Sequence, residues 1–345
     1  MKICFVITSL ARKGPIIVVQ DLVNNYIKSG IIVEIVYFDN IVEVDFPESV
    51  KLTRVNFFSR FDFSKYDIVH THLLRGDIFG AINRRTIKYL ISTCHSDFIF
   101  DLSISHGKFI GRFVGGIWKF FYKFFDKIVF LTEENQKKYK ELTKSTVIYN
   151  GRPEPTINNS LNQEYLHSIS GKTVIGSCAF ITKRKSLEHL IECAEIRKNR
   201  NEVYVIVGEG PEKENLIHKA KELNIDTHCI FIPFTDQVYD YIHTFDVFCM
   251  TSSSEGMPLS LIEAASMKCP IVSSKIKVVE EMFNSKEATL YDYGDISALD
   301  KAISYTLSHK ADLSQKVYLT YLKSYTDIKM SNQYLDLYKK LVKNV

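Results

Sequence analysis

The chain has 345 residues, 46% of them hydrophobic and 24% charged, with a formal net charge of +4. That is a folded protein too long for one ordinary core, which fits two domains of about 150 residues each, and nothing in its charge demands nucleic acid. Seven cysteines stand singly, with no C-x-x-C pair, which argues for reduced thiols in a cytosol and against a disulfide framework or a zinc site.

Short β-rich runs alternate with helical stretches from the start of the chain. Strands are expected at 3–8, 32–38, 67–70, 90–94, 127–131 and 146–149, then at 173–179, 203–207, 229–232, 246–250, 270–273 and 288–291. Helices are expected between them, among others at 16–29, 186–199, 212–223 and 258–268. Near-continuous apolar strands in such an alternation indicate parallel sheets covered on both faces. Turn formers and polar residues gather just after Tyr149 and mark a linker. The expected fold is therefore α/β, with two doubly wound Rossmann-like domains facing across a cleft. An N-terminal domain at 1–150, a linker at 151–165 and a second domain at 166–310 are followed by C-terminal helices at 311–345, packing back toward the first domain. The first strand starts at Lys2 without a signal-peptide pattern, and no apolar run approaches about 18 residues, so a cytoplasmic protein, soluble or peripheral, is expected.

Glu255 and Glu263 are the most informative pair, in Glu255-Gly256-Met257-Pro258-Leu259-Ser260-Leu261-Ile262-Glu263-Ala264. Pro258 suits a helix start, and bare N–H groups from Gly256 to Leu259 would make an anion site there. A phosphate at the helix tip, with hydroxyls near each carboxylate, describes a nucleotide sugar. A surface loop and a solvent-facing Glu263 would explain the same spacing. The dinucleotide fingerprint G-x-G-x-x-G is absent after the first strand, where Gly14 instead ends the loop before a helix. In the second half, Lys183-Arg184-Lys185 at a strand's carboxyl end could neutralise a diphosphate, or be a solvated loop. Gly208-Glu209-Gly210-Pro211 is a sharp strand-to-helix turn, read as structural.

Taken in order, these pieces resemble the family-4 retaining glycosyltransferases, whose fold is called GT-B. Glu255-Gly256-Met257-Pro258…Glu263-Ala264 matches the family's E-G-x-P…E-A element, and Lys185 its phosphate-binding lysine. Gly208 to Pro211, Asp246, Pro270 to Ser273, and Gly294-Asp295 fall in family order, as do Gly14, Gly30, Asp67 to His70, His95 and Tyr149-Asn150-Gly151. The resemblance implies that Lys185 contacts the donor diphosphate, aided by backbone N–H groups of the helix starting at Pro258. It implies that Glu263 holds ribose hydroxyls, that Glu255 contacts the donor sugar near its anomeric carbon, and that His95 bonds that sugar. Two departures touch phosphate and acceptor contacts. The family's arginine before the lysine is replaced by Ala179 or Phe180, leaving Lys183 or Arg184 as substitutes, and its Gly-Gly in the first loop is Lys13-Gly14. Glu280-Glu281 occupies the region of a further family acid without its glycine context.

Residues 108–127 form a basic, aromatic stretch in which Lys108, Arg112, Lys119, Lys123 and Lys127 fall within roughly a 100° arc of a helix. One reading seats this helix on an anionic membrane surface beside a lipid-linked acceptor. The favoured one buries its aromatic face on the first sheet, because every doubly wound domain needs covering helices.

The expected function is a retaining, metal-independent glycosyltransferase that uses a UDP-linked sugar to extend a bacterial surface polysaccharide such as capsule or O-antigen. Its partners would be the nucleotide sugar and a glycan or lipid-linked acceptor, with no cofactor and no nucleic acid. The chain has no D-x-D motif, and Lys185 with the helix dipole would take a metal's role. Two alternatives stay open, a sugar-nucleotide epimerase of the same fold and a non-catalytic partner subunit.

Overall fold

A computed structural model of the chain describes residues 1–95, 107–142 and 144–343. Thirteen strands are seen among them, in two sheets whose pairings are all parallel. The first sheet holds β1 (Lys2–Ile7), β2 (Ile32–Tyr37), β3 (Lys51–Arg54), β4 (Ile68–His72), β5 (Tyr89–Cys94), β6 (Lys127–Phe130) and β7 (Ser145–Val147), in the order β3-β2-β1-β4-β5-β6-β7. The second holds β8 (Thr173–Cys178), β9 (Glu202–Val207), β10 (Cys229–Ile232), β11 (Val247–Met250), β12 (Ile271–Ser274) and β13 (Thr289–Tyr291), in the order β10-β9-β8-β11-β12-β13. Each is a doubly wound sheet whose strand order reverses once, at β1/β4 in the first and β8/β11 in the second. Crossovers with helices bury both faces, which is why β1, β4, β8 and β11 are buried almost along their whole length. The edge strand β3 was not expected, since its Lys51-Leu52-Thr53-Arg54 is exposed or half-buried throughout and carries no burial pattern.

Helix Gly14–Lys28 shows the local logic. Lys13 is extended, Pro15 lies in the first turn, and Ile16, Val19, Leu22, Val23 and Tyr26 recur at helical spacing on the buried face. The chain forms two compact units, Met1–Pro153 with Tyr325–Val345, and Glu154–Ser324. The C-terminal helices expected together at 311–345 therefore divide. Helix Lys310–Ser324 turns Leu313, Val317 and Tyr321 onto the second unit, against helix Leu259–Ser266, and the Lys268 ammonium lies 4.6 Å from the Tyr318 ring. Helix Asp327–Lys343 belongs to the first unit, where Asn25 donates to Asp327 Oδ2 at 2.8 Å and to Ser331 Oγ at 3.0 Å. Both helices carry an apolar stripe at i, i+4 spacing, and only the shape of each packing surface distinguishes their destinations.

Candidate functional site

In the second unit β8 and β11 are neighbours at the reversal point, so the loops leaving their carboxyl ends lie side by side. The loop after β8 is fastened to the Gly208–Pro211 turn: Ala179 N donates to Val207 O at 3.0 Å, Ile181 N to Glu209 O at 2.8 Å, and Glu212 N to Ile181 O at 3.2 Å. Gly210, at φ 156°, is required here, because a Cβ would stand 2.2 Å from the Ile181 carbonyl oxygen. The structural role expected for this turn is the one observed.

Beyond Ile181 a 3-10 turn, Lys183–Lys185, ends at Ser186 in the left-handed region, φ 46°, with its Oγ 2.9 Å from Tyr293 Oη. The loop after β11 clasps this turn through its backbone. Thr251 Oγ1 donates to Lys185 O at 2.8 Å, and Ser253 N to Arg184 O at 2.9 Å. Two carbonyls of the basic loop are thus satisfied by the acidic one, and the charged groups are brought together. Lys185 Nζ donates to Glu255 Oε1 at 2.6 Å, while Arg184 Nη1 donates to Ser254 O at 3.1 Å and Glu255 Oε2 at 3.3 Å. The Glu255 side chain is 6% exposed and that of Lys185 15%, against 31% for Arg184. Burial alone would raise the Glu255 carboxyl, but the charges of Lys185 and then Arg184 bring it below its ordinary value. Two cations on one carboxylate leave a net positive charge. Lys183, the other candidate for the missing arginine, is exposed.

Glu255 leads directly into buried Gly256, Met257 and Pro258, and helix Leu259–Ser266 follows with Pro258 extended at its N-cap. No side chain caps this helix, whose first N–H groups point to the same end of the sheet. Leu261, Ile262, Ala264 and Ala265 are buried, and Glu263 between them is half-buried. Its charge is felt at the end of β8, where burial first and Glu263 second push the Cys178 thiol up. Arg184, Lys185, Glu255 and the helix start through Leu259 are therefore assembled, with Glu263 one and a half turns along the same helix.

Gly14 and His95 belong to the first unit. Gly14 is exposed and opens its helix without a side-chain cap. His95 follows β5, and its Nε2 lies 2.7 Å from Nδ1 of His72, which ends β4. His70, two residues earlier on the same face, has its ring centre 4.4 Å from that of His72, tilted by 37°, and sits between Thr93 Oγ1 at 2.8 Å and Tyr338 Oη at 2.6 Å. Burial lowers His95 to about 3, and burial with the neighbouring His95 charge lowers His70 to about 3. His72 is driven well below its ordinary value by burial, then by the other two imidazoles. All three are neutral at neutral pH. The His70-x-His72 spacing, which puts both rings on one strand face, is a signal legible in the sequence, although His72 was not among the expected site residues.

The helix Lys108–Phe121 bears out the covering-helix expectation in part. The aromatic residues of the helix and of the 3-10 turn Tyr122–Phe124 that follows it divide: Trp118, Tyr122 and then Phe125 are buried, whereas Phe109 is 84% exposed, Phe113 64%, Phe120 52% and Phe124 42%. Trp118 Nε1 donates to the buried Asp77 Oδ2 at 2.7 Å, and this bond sets the rotation of the helix. An apolar stripe thus faces outward, flanked on one side by Arg112, Lys119 and Lys123. Lys119 pairs with Glu141, and the side chain of Lys108 lies outside the described ones. Among the described residues no helix is long and apolar enough to cross a membrane.

Residues 17–153 match Glycosyltransferase Family 4, and residues 162–319 match Glycosyl transferases group 1. The O-antigen biosynthesis glycosyltransferase WclY of Escherichia coli is 29% identical over 357 residues, covering 100% of both chains. The UDP-Gal:alpha-D-GlcNAc-diphosphoundecaprenol alpha-1,3-galactosyltransferase of Escherichia coli is 24% identical over 300 residues, 81% of this chain and 77% of that one. The crystal structure of Anabaena Alr3699/HepE in complex with UDP superposes with a TM-score of 0.82 at 15% identity, covering 99% of this chain and 100% of the other. The two family matches leave only residues 1–16, 154–161 and 320–345 outside, and each falls on its own doubly wound sheet. The chain belongs to the family-4 glycosyltransferases and has their GT-B fold.

Proposed function

We propose that the chain is a retaining glycosyltransferase that moves a sugar from a UDP-linked donor to a glycan or lipid-linked glycan acceptor during assembly of a surface polysaccharide. The observation that carries this reading is the Arg184–Lys185–Glu255 cluster beside the uncapped start of helix Leu259–Ser266. Breaking a glycosyl–phosphate bond leaves positive charge on the ring and negative charge on the departing diphosphate. Lys185, Arg184 and the helix N–H groups suit that anion, each such donor being worth about 3 kcal/mol. Glu255 suits the oxocarbenium-like ring, and Glu263 the ribose hydroxyls. From the first unit, Gly14 is the proposed contributor to an anion and His95 to a sugar hydroxyl. As the acceptor oxygen bonds the anomeric carbon, the bond to phosphate breaks with its electron pair, and the phosphate oxygen takes the acceptor's proton. No separate general base is needed. Lys185 and the helix start also take the place a metal would have.

The choice of UDP draws support from the complex formed by Anabaena HepE. The choice of a lipid-linked acceptor draws support from the diphosphoundecaprenol substrate in the galactosyltransferase's name. A peripheral position at the inner face of the cell membrane agrees with the outward apolar stripe of helix Lys108–Phe121 and its cationic flank, since exposed apolar patches mark contact sites and cations favour anionic lipid.

The test is a panel of nucleotide sugars offered with and without a lipid-linked acceptor, the product's anomeric configuration read by NMR. A retained configuration and full activity in chelator are expected. An altered sugar without transfer would identify an epimerase, and an absence of binding and turnover across the panel a non-catalytic subunit. An inverted product would end the retaining mechanism, and loss of activity in chelator the metal-free one.

A further inference from the structure

His72 ends β4 and His95 follows the adjacent strand β5, with His72 Nδ1 and His95 Nε2 2.7 Å apart. His72 is fully buried, and among the described residues its other nitrogen, Nε2, has no hydrogen-bond partner. Leu73, directly after it, is held at φ 66°, a costly conformation for so bulky a residue and one that persists where surrounding structure demands it. A short contact between two neutral imidazoles needs one proton between them, and there are two ways to supply it. If His95 Nε2–H donates, His72 must carry its own proton on Nε2, where it becomes a buried donor with nothing to bond. If His72 Nδ1–H donates, the atom left over is an unused lone pair. Buried orphan N–H groups are the rarer of the two.

We infer that His72 is a positioning residue whose Nδ1–H donates to His95 Nε2 and fixes His95 as the Nδ1–H tautomer. The inference rests on the proposed role of His95 toward a sugar hydroxyl and adds its direction. His95 then offers Nδ1–H to a hydroxyl oxygen and has no free lone pair with which to take a proton, so it orients the sugar rather than acting as a base. Residue 72 acts only through residue 95.

The full chain labelled with 15N-histidine is read by long-range 1H–15N correlation near neutral pH, His95 being assigned by the signals lost in His95→Gln. The expected result is a protonated-type shift at His95 Nδ1 and an unprotonated-type shift at Nε2. His72→Asn, whose side-chain amide can stand where Nδ1 stood, keeps that pattern and most of the activity. His72→Phe gives a mixture of tautomers and lowers kcat for donor turnover about tenfold, the rate equivalent of one buried hydrogen bond, with the donor KM unchanged. A His95 protonated on Nε2 in the wild type overturns the inference, as does an unaltered His95 pattern in His72→Phe. If His72→Phe fails to fold, the wild-type spectrum and His72→Asn still decide. A wild type that turns over no donor would defeat the proposed reaction and leave the tautomer to be judged on its own.

Discussion

Replacing Lys185 by Met keeps the stem of the side chain and removes its charge from Glu255. The pair it breaks is tight, 2.6 Å, with side chains 15% and 6% exposed, so Glu255 is stranded in a dry place. Removing one member of a buried pair costs about 3–5 kcal/mol when nothing else serves the remaining charge. Here Arg184 does serve it, at 3.3 Å, but is 31% exposed and more screened. The expected loss is therefore nearer one charged hydrogen bond, about 2 kcal/mol, or roughly 4–8 °C in Tm for a unit of this size. On turnover, losing one phosphate contact of similar strength lowers kcat/KM by roughly 30-fold. The pH dependence provides the internal control. The Glu255 carboxyl lies below its ordinary value in the folded chain, so its contribution to stability is present at neutral pH and is lost as pH falls through that lowered value. The gap in stability between wild type and variant should close below about pH 4, the ordinary carboxylate range. Thermal unfolding across pH, with Glu255→Gln and the double variant to complete the cycle, measures this, and a coupling of about 1–3 kcal/mol is expected. A constant gap down to low pH, or additive single effects, would refute the pairing as the source of the cluster's stability.

Gly210→Ala drives a methyl against the Ile181 carbonyl, 2.2 Å away, and should destabilise the second unit by about 1–3 kcal/mol in urea unfolding while weakening donor binding through the displaced Lys183–Lys185 turn. Unchanged stability would mean that the loop yields freely. Glu263→Ala should weaken UDP binding by roughly 10- to 100-fold in calorimetry, the cost of a lost bond to a charged acceptor, with Tm little altered. Wild-type affinity would remove Glu263 from the site. Phe113→Asp with Phe120→Asp places charge on side chains 64% and 52% exposed, so folding should be spared. Co-sedimentation with anionic vesicles should fall at least about tenfold, from the burial value of a phenylalanine, while donor hydrolysis in solution is kept. Undiminished vesicle binding would assign the stripe to another partner.

Much of the site was readable one residue at a time. Pro258 stands where a helix begins, Glu263 follows on its half-buried flank, and Lys183 to Lys185 close a strand; each is a local signal, and each is found in the expected element. The contact between Lys185 and Glu255 was not readable from the residues alone, because seventy positions separate them and only the adjacency of β8 and β11 joins their loops. His72 escaped notice for a related reason. The His70-x-His72 spacing puts two imidazoles on one face of β4, but the partner of His72 follows the next strand, and the sequence does not announce that contact.

The amino-acid order by itself determined the alternation of strand and helix, because apolar periodicity records which face of each element is shielded from water. It also set the helix start at Pro258 and, to within two residues, the one at Gly14, since φ restriction and exposed N–H groups are local properties. Which buried surface each element meets was decided only by tertiary packing. Lys310–Ser324 and Asp327–Lys343 carry similar stripes yet cover different units, and Lys108–Phe121 turns Phe109, Phe113 and Phe120 outward while Trp118 is held by Asp77. The charge state of Glu255 belongs to the same class. A carboxylate's ionisation depends on the distance to its counter-charges, and those distances exist only once the two loops have been folded together.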